Sequence, residues 1–207
     1  MRNKKDFYPT PHSIVKLLAS FADIEHDPRP IPHSIVKLLS SCTNDQTDSY
    51  PTPHSIVKLL ANYPDWERPN VWEPCAGDGR LVKALQARLF KVIATGISRG
   101  QDFFDFTKAP APYLMTNPPF KKIRPFIDHA FAIGVERMVL VCPERLWACK
   151  KGWEQFHRHR PARLINLNWR EDYLGKGGSP DRALAISIWE SSNASRCQYE
   201  VWSKPYE

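Results

Sequence analysis

Val71-Trp72-Glu73-Pro74-Cys75-Ala76-Gly77-Asp78-Gly79-Arg80 is the stretch that decides the fold. Three residues suited to a strand run into Pro74, two glycines follow, and from Arg80 onward the apolar residues recur at helical spacing. The segment reads as a strand over 71–73, a tight turn, and a helix over 80–89. At Gly77 and Gly79 the backbone is bare, so a ligand can approach the main chain closely, and the amides that open the helix can bind it. A G-x-G taken alone also fits an ordinary strand-to-helix turn.

Downstream, the same alternation continues. Strands are expected at Val92–Ile97, Tyr113–Thr116, Arg137–Cys142 and Leu164–Leu167, with a helix over Ile123–Ile133. Ala183–Trp189 and Tyr199–Trp202 read as a closing antiparallel pair. Strands separated by helices predict an α/β fold: an open, mostly parallel, twisted sheet with helices on both faces and an antiparallel closing strand. Ligands on such sheets bind at the carboxyl ends of the strands.

The expected strand 113–116 runs into Asn117-Pro118-Pro119-Phe120. Two prolines stiffen this loop and leave carbonyls that no sheet ladder uses. An Asn side-chain oxygen beside a rigid Pro carbonyl offers two acceptors, which suits a planar amino group with two N–H donors. Phe120 can stack on the ring that bears it.

Upstream, Pro-x-Pro-His-Ser-Ile-Val-Lys-Leu-Leu occurs three times, beginning at Pro9, Thr10 and Pro11, again at Pro30, and finally at Pro51, a spacing of 21 residues. Each copy has the form of a helix start, with Thr10 or Thr52 able to N-cap and Pro11 or Pro53 at the first helical position. The middle copy has Ile31 at the capping position and should be the weakest start. The segments between copies diverge, so a local duplication ahead of one catalytic domain fits better than a solenoid. Residues 1–49 then form an N-terminal segment with two extra copies, and 50–207 the catalytic domain.

Glu-Pro-x-x-Gly-x-Gly followed by Asn-Pro-Pro-Phe, with Tyr-x-Thr-Pro upstream, resembles the S-adenosylmethionine-dependent amino methyltransferases that act on adenine N6 in DNA, in the gamma-like motif order. The resemblance spans roughly Tyr50 to Trp189 and implies a Rossmann-like class I methyltransferase fold. It implies that Tyr50, Thr52, Pro53, Glu73, Pro74, Cys75, Gly77, Asp78 and Gly79 hold the methyl donor, and that Asp102 with Phe103 contacts its adenine. It also implies that Asn117, Pro118, Pro119 and Phe120 form the catalytic loop. Where the family usually carries an acidic residue for the donor's ribose, this chain reads Ala94-Thr95-Gly96-Ile97-Ser98, which implies weaker donor affinity or another ribose contact.

Composition bears on the substrate. Of 207 residues, 42% are hydrophobic and 25% charged, the make-up of a globular chain with one sizeable core. Lys and Arg number 29 against 22 Asp and Glu, a formal +7, so an anionic partner is favoured. Basic residues gather behind the Asn-Pro-Pro-Phe loop: Lys121, Lys122, Arg124, Arg145, Lys150, Lys151, Arg158, Arg160 and Arg163. As a group they suit phosphates, although each alone also fits a solvated face. DNA is the expected partner. RNA, modified at adenine N6 or guanine N2, is the alternative, followed by a protein glutamine or a nucleic-acid-binding module that has lost the donor. An amine inside a duplex is out of reach, so the base must be unpaired or flipped out.

No block of residues reads as a separate target-recognition domain, and loop 170–182 is either a closing loop or a plain connection. No apolar run approaches the roughly 18–20 residues of a membrane helix, and no signal-peptide core follows Met1. The expectation is an intracellular, cytoplasmic protein. Its five cysteines form no C-x-x-C, and His157 and His159 read as surface, so no metal site is expected.

Overall fold

The computed structural model describes residues 51–62, 70–171, 183–190 and 194–204. All of these lie in the second of two units of the chain, Thr47–Glu207. The first two repeat copies, Tyr50 and residues 172–182 of the glycine-rich loop fall outside the described residues.

In chain order the elements are α1 (His54–Asn62), β1 (Asn70–Glu73), α2 (Arg80–Ala87), β2 (Lys91–Ala94), β3 (Tyr113–Thr116), α3 (Ile123–Ala132), β4 (Arg137–Pro143), α4 (Lys150–Arg158), β5 (Arg163–Arg170), β6 (Ala183–Trp189) and β7 (Gln198–Trp202). The strands make one sheet in the order β2-β1-β3-β4-β6-β5-β7. β6 runs antiparallel to both of its neighbours, and every other pairing is parallel. Among the described residues no helix is long and apolar enough to cross a membrane.

The period-two alternation of the strands divides the core between the two faces of the sheet. Val71, Met115, Val139, Val141, Ile186 and Ile188 pack with Ile56, Leu59 and Leu60 of α1 and Leu81 and Leu85 of α2. Trp72, Leu114, Met138, Leu140 and Trp189 pack with Ile123, Phe126, Ile127 and Ala130 of α3 on the other face. The third repeat copy thus does form a helix. Pro53 stands at its start, where the carbonyl of Pro53 accepts from Val57 N at 2.9 Å and the missing proline N–H costs nothing.

Three expectations need correction. The strand expected over Val92–Ile97 spans Lys91–Ala94, and Ile97 opens a 3₁₀ turn after Gly96. The helix expected to reach Leu89 stops at Ala87. Leu89 adopts φ 66°, its amide bonds to Gln86 O at 2.9 Å, and Phe90 N reaches back to Leu85 O at 3.2 Å. This is a Schellman-type ending that turns Phe90 into the core. The last two strands, expected to pair with each other, do not. Both edges of β6 are taken by β4 and β5, so β7 adds in parallel on the far side of β5.

Candidate active site

β1 lies between β2 and β3 in the sheet. The chain therefore leaves β1 toward one side and returns to its other side, which makes the carboxyl ends of β1 and β3 a topological switch point where the sheet opens a crevice. The glycine turn leaves β1 there, and the Asn-Pro-Pro-Phe loop leaves β3 beside it. Gly77 and Gly79 have φ of 47° and 81°, conformations that side chains disfavour. Asp78 accepts from Arg80 N at 3.2 Å and pairs with Arg80 Nε at 2.8 Å, both in exposed positions.

Glu73 anchors this crevice. Its side chain is 1% exposed, and one oxygen, Oε1, accepts both Cys75 N at 2.9 Å and Thr116 Oγ1 at 2.5 Å. Burial pushes its pKa up from the usual carboxylate range to about 7, and the two hydrogen bonds oppose that shift only in part. Thr116, the last residue of β3, was not singled out from sequence. Its hydroxyl ties the start of the Asn-Pro-Pro-Phe loop to the start of the glycine turn. A Thr closing the apolar run Tyr113-Leu114-Met115 was the available signal. Pro74 is buried. The Cys75 thiol is pushed well above the ordinary thiol range, first by burial and then by the carboxylates of Glu73 and Asp102, so it stays protonated and is no nucleophile.

Asn117 is half-buried. Its Nδ2 donates to Thr52 Oγ1 at 3.4 Å, bringing the third repeat copy to the Asn-Pro-Pro-Phe loop across 65 residues of sequence. Its Oδ1 is buried and has no hydrogen-bond partner. Buried polar atoms are nearly always paired, so an orphaned acceptor on a rigid loop points to a donor brought by a ligand. Pro118 is buried and Pro119 half-buried. Pro119 O accepts from Lys122 N at 3.1 Å, which closes the 3₁₀ turn Phe120–Lys122. Phe120 is half-buried, packed against both core clusters.

Asp102 accepts from Phe104 N at 3.1 Å and so caps the short turn Phe103–Asp105. Phe103 is 4% exposed and stacks on Phe126 at 3.8 Å, so its ring belongs to the core. Beyond β2, the Thr95 backbone pins the glycine turn, with Thr95 N bonded to Glu73 O and Ala76 N to Thr95 O, both at 2.9 Å. Gly96 follows with φ 157° and ψ 160°. A Cβ there would stand 3.4 Å from Ala76 N. The acidic residue that the resemblance leads one to seek in this region is therefore absent from position 96 for a structural reason. Gly96→Asp is expected to lower folding stability by about 1–3 kcal/mol, the usual cost of such backbone conformations for a side-chain-bearing residue. Urea unfolding checks this, and an unchanged midpoint would contradict it.

Beside the loop lies an open cleft of about 660 Å³, lined among others by Phe120, Lys121, Arg124, Pro143, Arg145, Leu146, Lys151 and Arg158. Five basic side chains line it against two acidic ones, Asp128 and Glu154. Of the residues expected to meet phosphates, Lys121, Arg124, Arg145, Lys151 and Arg158 are brought together there. The Arg124 guanidinium is held by Leu146 O and by Gln155 Oε1 at 3.4 Å, and Arg158 reaches Asp128 at 3.4 Å. Lys122 instead lies over the Phe104 ring at 5.9 Å. Lys150 is exposed at the start of α4, and Arg160 bonds Ser195 O at 3.0 Å.

No protein-family model matches the sequence, and no curated protein matches it significantly. Solved structures do resemble the fold. A protein of Listeria monocytogenes assigned to the class I S-adenosylmethionine-dependent methyltransferases superposes with TM-score 0.54 at 14% identity, covering 90% of this chain and 78% of that one. A protein of Pyrococcus horikoshii assigned as an RNA methyltransferase gives 0.54 at 19% identity, over 87% of this chain and 98% of that one. A protein of Vibrio vulnificus assigned as the modification subunit of a type I restriction enzyme gives 0.51 at 12% identity, over 97% of this chain and 56% of that one. The sheet of this chain, with its one antiparallel strand, has the Rossmann-like class I methyltransferase fold.

Proposed function

We propose that the protein is an S-adenosylmethionine-dependent methyltransferase that modifies the exocyclic N6 amine of adenine in DNA. The observation that carries this reading is the buried, unpartnered Oδ1 of Asn117 at the switch point, one hydrogen-bonded residue away from the glycine turn through Thr116 and Glu73. The residues present suit the donor. Bare main chain at Gly77 and Gly79 and a buried carboxylate at Glu73 lie at the carboxyl ends of β1 and β3, and Thr52, just ahead of α1, reaches Asn117 there.

Bound S-adenosylmethionine supplies an electrophilic methyl group on a sulfonium sulfur. The chain's own part is to place and polarise the amine. Asn117 Oδ1 and the Pro118 carbonyl accept its two N–H groups. This draws the nitrogen lone pair out of conjugation with the ring and stabilises the positive charge that develops on nitrogen. Phe120 stacks on the extruded base and replaces part of the stacking lost, at about 1–3 kcal/mol. The basic side chains of the cleft neutralise phosphates near the target, so binding should weaken steeply with salt.

Radiolabelled methyl transfer compared across duplex DNA, single-stranded DNA and total RNA tests the proposal. Label is expected in N6-methyladenine of DNA. Label in RNA alone would favour the second reading, an RNA base methyltransferase, which is supported by a likeness that spans 98% of the Pyrococcus protein. Absence of S-adenosylmethionine binding in calorimetry would leave only a nucleic-acid-binding module.

A further inference from the structure

We propose that the outer face of α4 is a second base-stacking site, taking an unpaired nucleotide next to the one that enters the crevice. The inference rests on the proposed nucleic-acid substrate and extends it to residues outside the site described above.

α4 has two different solvent-facing arcs. At 100° per residue, Lys151, Glu154 and Arg158 share one arc, bordered by the buried Gln155, and all four line the basic cleft. Gln155, 1% exposed, locks that side to α3 by donating to Arg124 O at 2.8 Å. The adjoining arc carries Lys150, Trp153 and His157 at i, i+3 and i+7. Trp153 is 61% exposed, and it is the one tryptophan among the described residues left so open. A large indole held in water forgoes the burial that usually stabilises it.

The exposed rings are not loose. The His157 ring lies 4.2 Å from the Trp153 ring at 41°, and His157 Nδ1 is 2.8 Å from Trp153 O. The pair is thereby fixed as a platform on a regular helix. Its surroundings select the occupant. Lys150 stands one turn before Trp153 on the same arc, and Lys151 and Arg158, the latter paired with Asp128, lie on the adjoining arc along the cleft, in a chain of net charge +7. An aromatic plate among cations is the arrangement that holds single-stranded nucleic acid, where a base stacks on the ring and its phosphates meet the charges. The cleft runs from the adjoining arc of α4, at Lys151, Glu154 and Arg158, to Phe120, so a strand leaving the crevice along it reaches the same helix that carries Trp153.

The test is binding of fluorescein-labelled single-stranded and duplex oligonucleotides to the full-length protein without methyl donor, followed by anisotropy. Trp153→Ala is expected to weaken single-strand binding by about 10-fold, within the range found for loss of one stacked base, whereas Trp153→Phe keeps most of the affinity. Ultraviolet cross-linking should place the oligonucleotide on the tryptic peptide 152–158. Equal affinity of parent and Trp153→Ala would overturn the platform alone and leave the methyltransferase reading intact. Parent protein that binds no oligonucleotide would sink the nucleic-acid substrate itself. A change in sedimentation on Trp153→Ala with unaltered oligonucleotide affinity would make this face a protein contact and overturn the proposal.

Discussion

Asn117→Ala should abolish most methyl transfer, by about 10²–10³-fold, the loss typical of removing one polar group that stabilises developing charge. Binding of S-adenosylmethionine should stay close to that of the parent, because in the proposed site the Asn117 oxygen accepts from the target amine and makes no bond to the donor. Stability gives a second readout. The amide makes one long hydrogen bond, 3.4 Å to Thr52, while its buried oxygen is unpartnered. An unsatisfied buried acceptor costs about 1–3 kcal/mol, so the alanine variant should unfold at equal or higher denaturant concentration than the parent. An inactive protein that is no less stable is the signature of a residue kept for chemistry. A variant that transfers methyl groups at the parental rate would refute the assignment, and one that loses activity only through loss of stability would show Asn117 to be structural.

Glu73→Gln should change the pH dependence of stability. The carboxyl titrates near 7 in the folded protein against 4.5 for its ordinary value, chiefly because it is buried. The folded state therefore holds its proton where the unfolded chain has released it. Stability from this group is fully present below about pH 4, declines as pH rises between the two values, and is gone above about 7. Between pH 5 and pH 8 the parent should lose roughly 2–3 kcal/mol through Glu73 that the glutamine variant does not lose. Both recorded hydrogen bonds go to Oε1, and a glutamine oxygen can accept both, so the comparison isolates the charge. Urea unfolding at the two pH values measures it, and parallel curves for parent and variant would show that burial does not perturb this carboxyl. If Glu73 in its ionised form helps to hold the donor, donor affinity of the parent rises through pH 7 while that of the variant stays flat.

Much of the architecture was legible because it follows from local patterns. Strand 113–116 is bounded correctly at both ends, since the apolar run Tyr113-Leu114-Met115, closed by Thr116, lies between a turn and two prolines that cannot join a ladder. The apolar spacing locates helix α2 but runs past its end at Ala87. Its stop depends on Leu89 entering a left-handed conformation so that Phe90 can reach the core, and nothing in the residue type of Leu89 signals that. Proximity in sequence suggests that the final strands pair, but β6 is enclosed by β4 and β5, and strand order is not a local property of the chain.

The candidate site divides in the same way. Asn117, Phe120 and the glycine turn announce themselves through residue types that only particular chemistry or particular backbone angles require. Thr116 and Trp153 do not, for their significance lies in what surrounds them: a carboxylate 43 residues away in one case, solvent and cations in the other. Gly96, read from sequence as a missing carboxylate, is held at φ 157° and ψ 160° against the Ala76 backbone.

By itself, then, the sequence determined an α/β chain with a glycine turn and a proline-stiffened acceptor loop, because periodicity, turn residues and capping act within a few residues of each other. Only the tertiary structure decided that these two loops emerge side by side at a switch point, that Glu73 is sealed from water, and that the Asn117 oxygen is left without a partner. Burial and strand order depend on contacts between residues distant in the chain, and no local pattern encodes them.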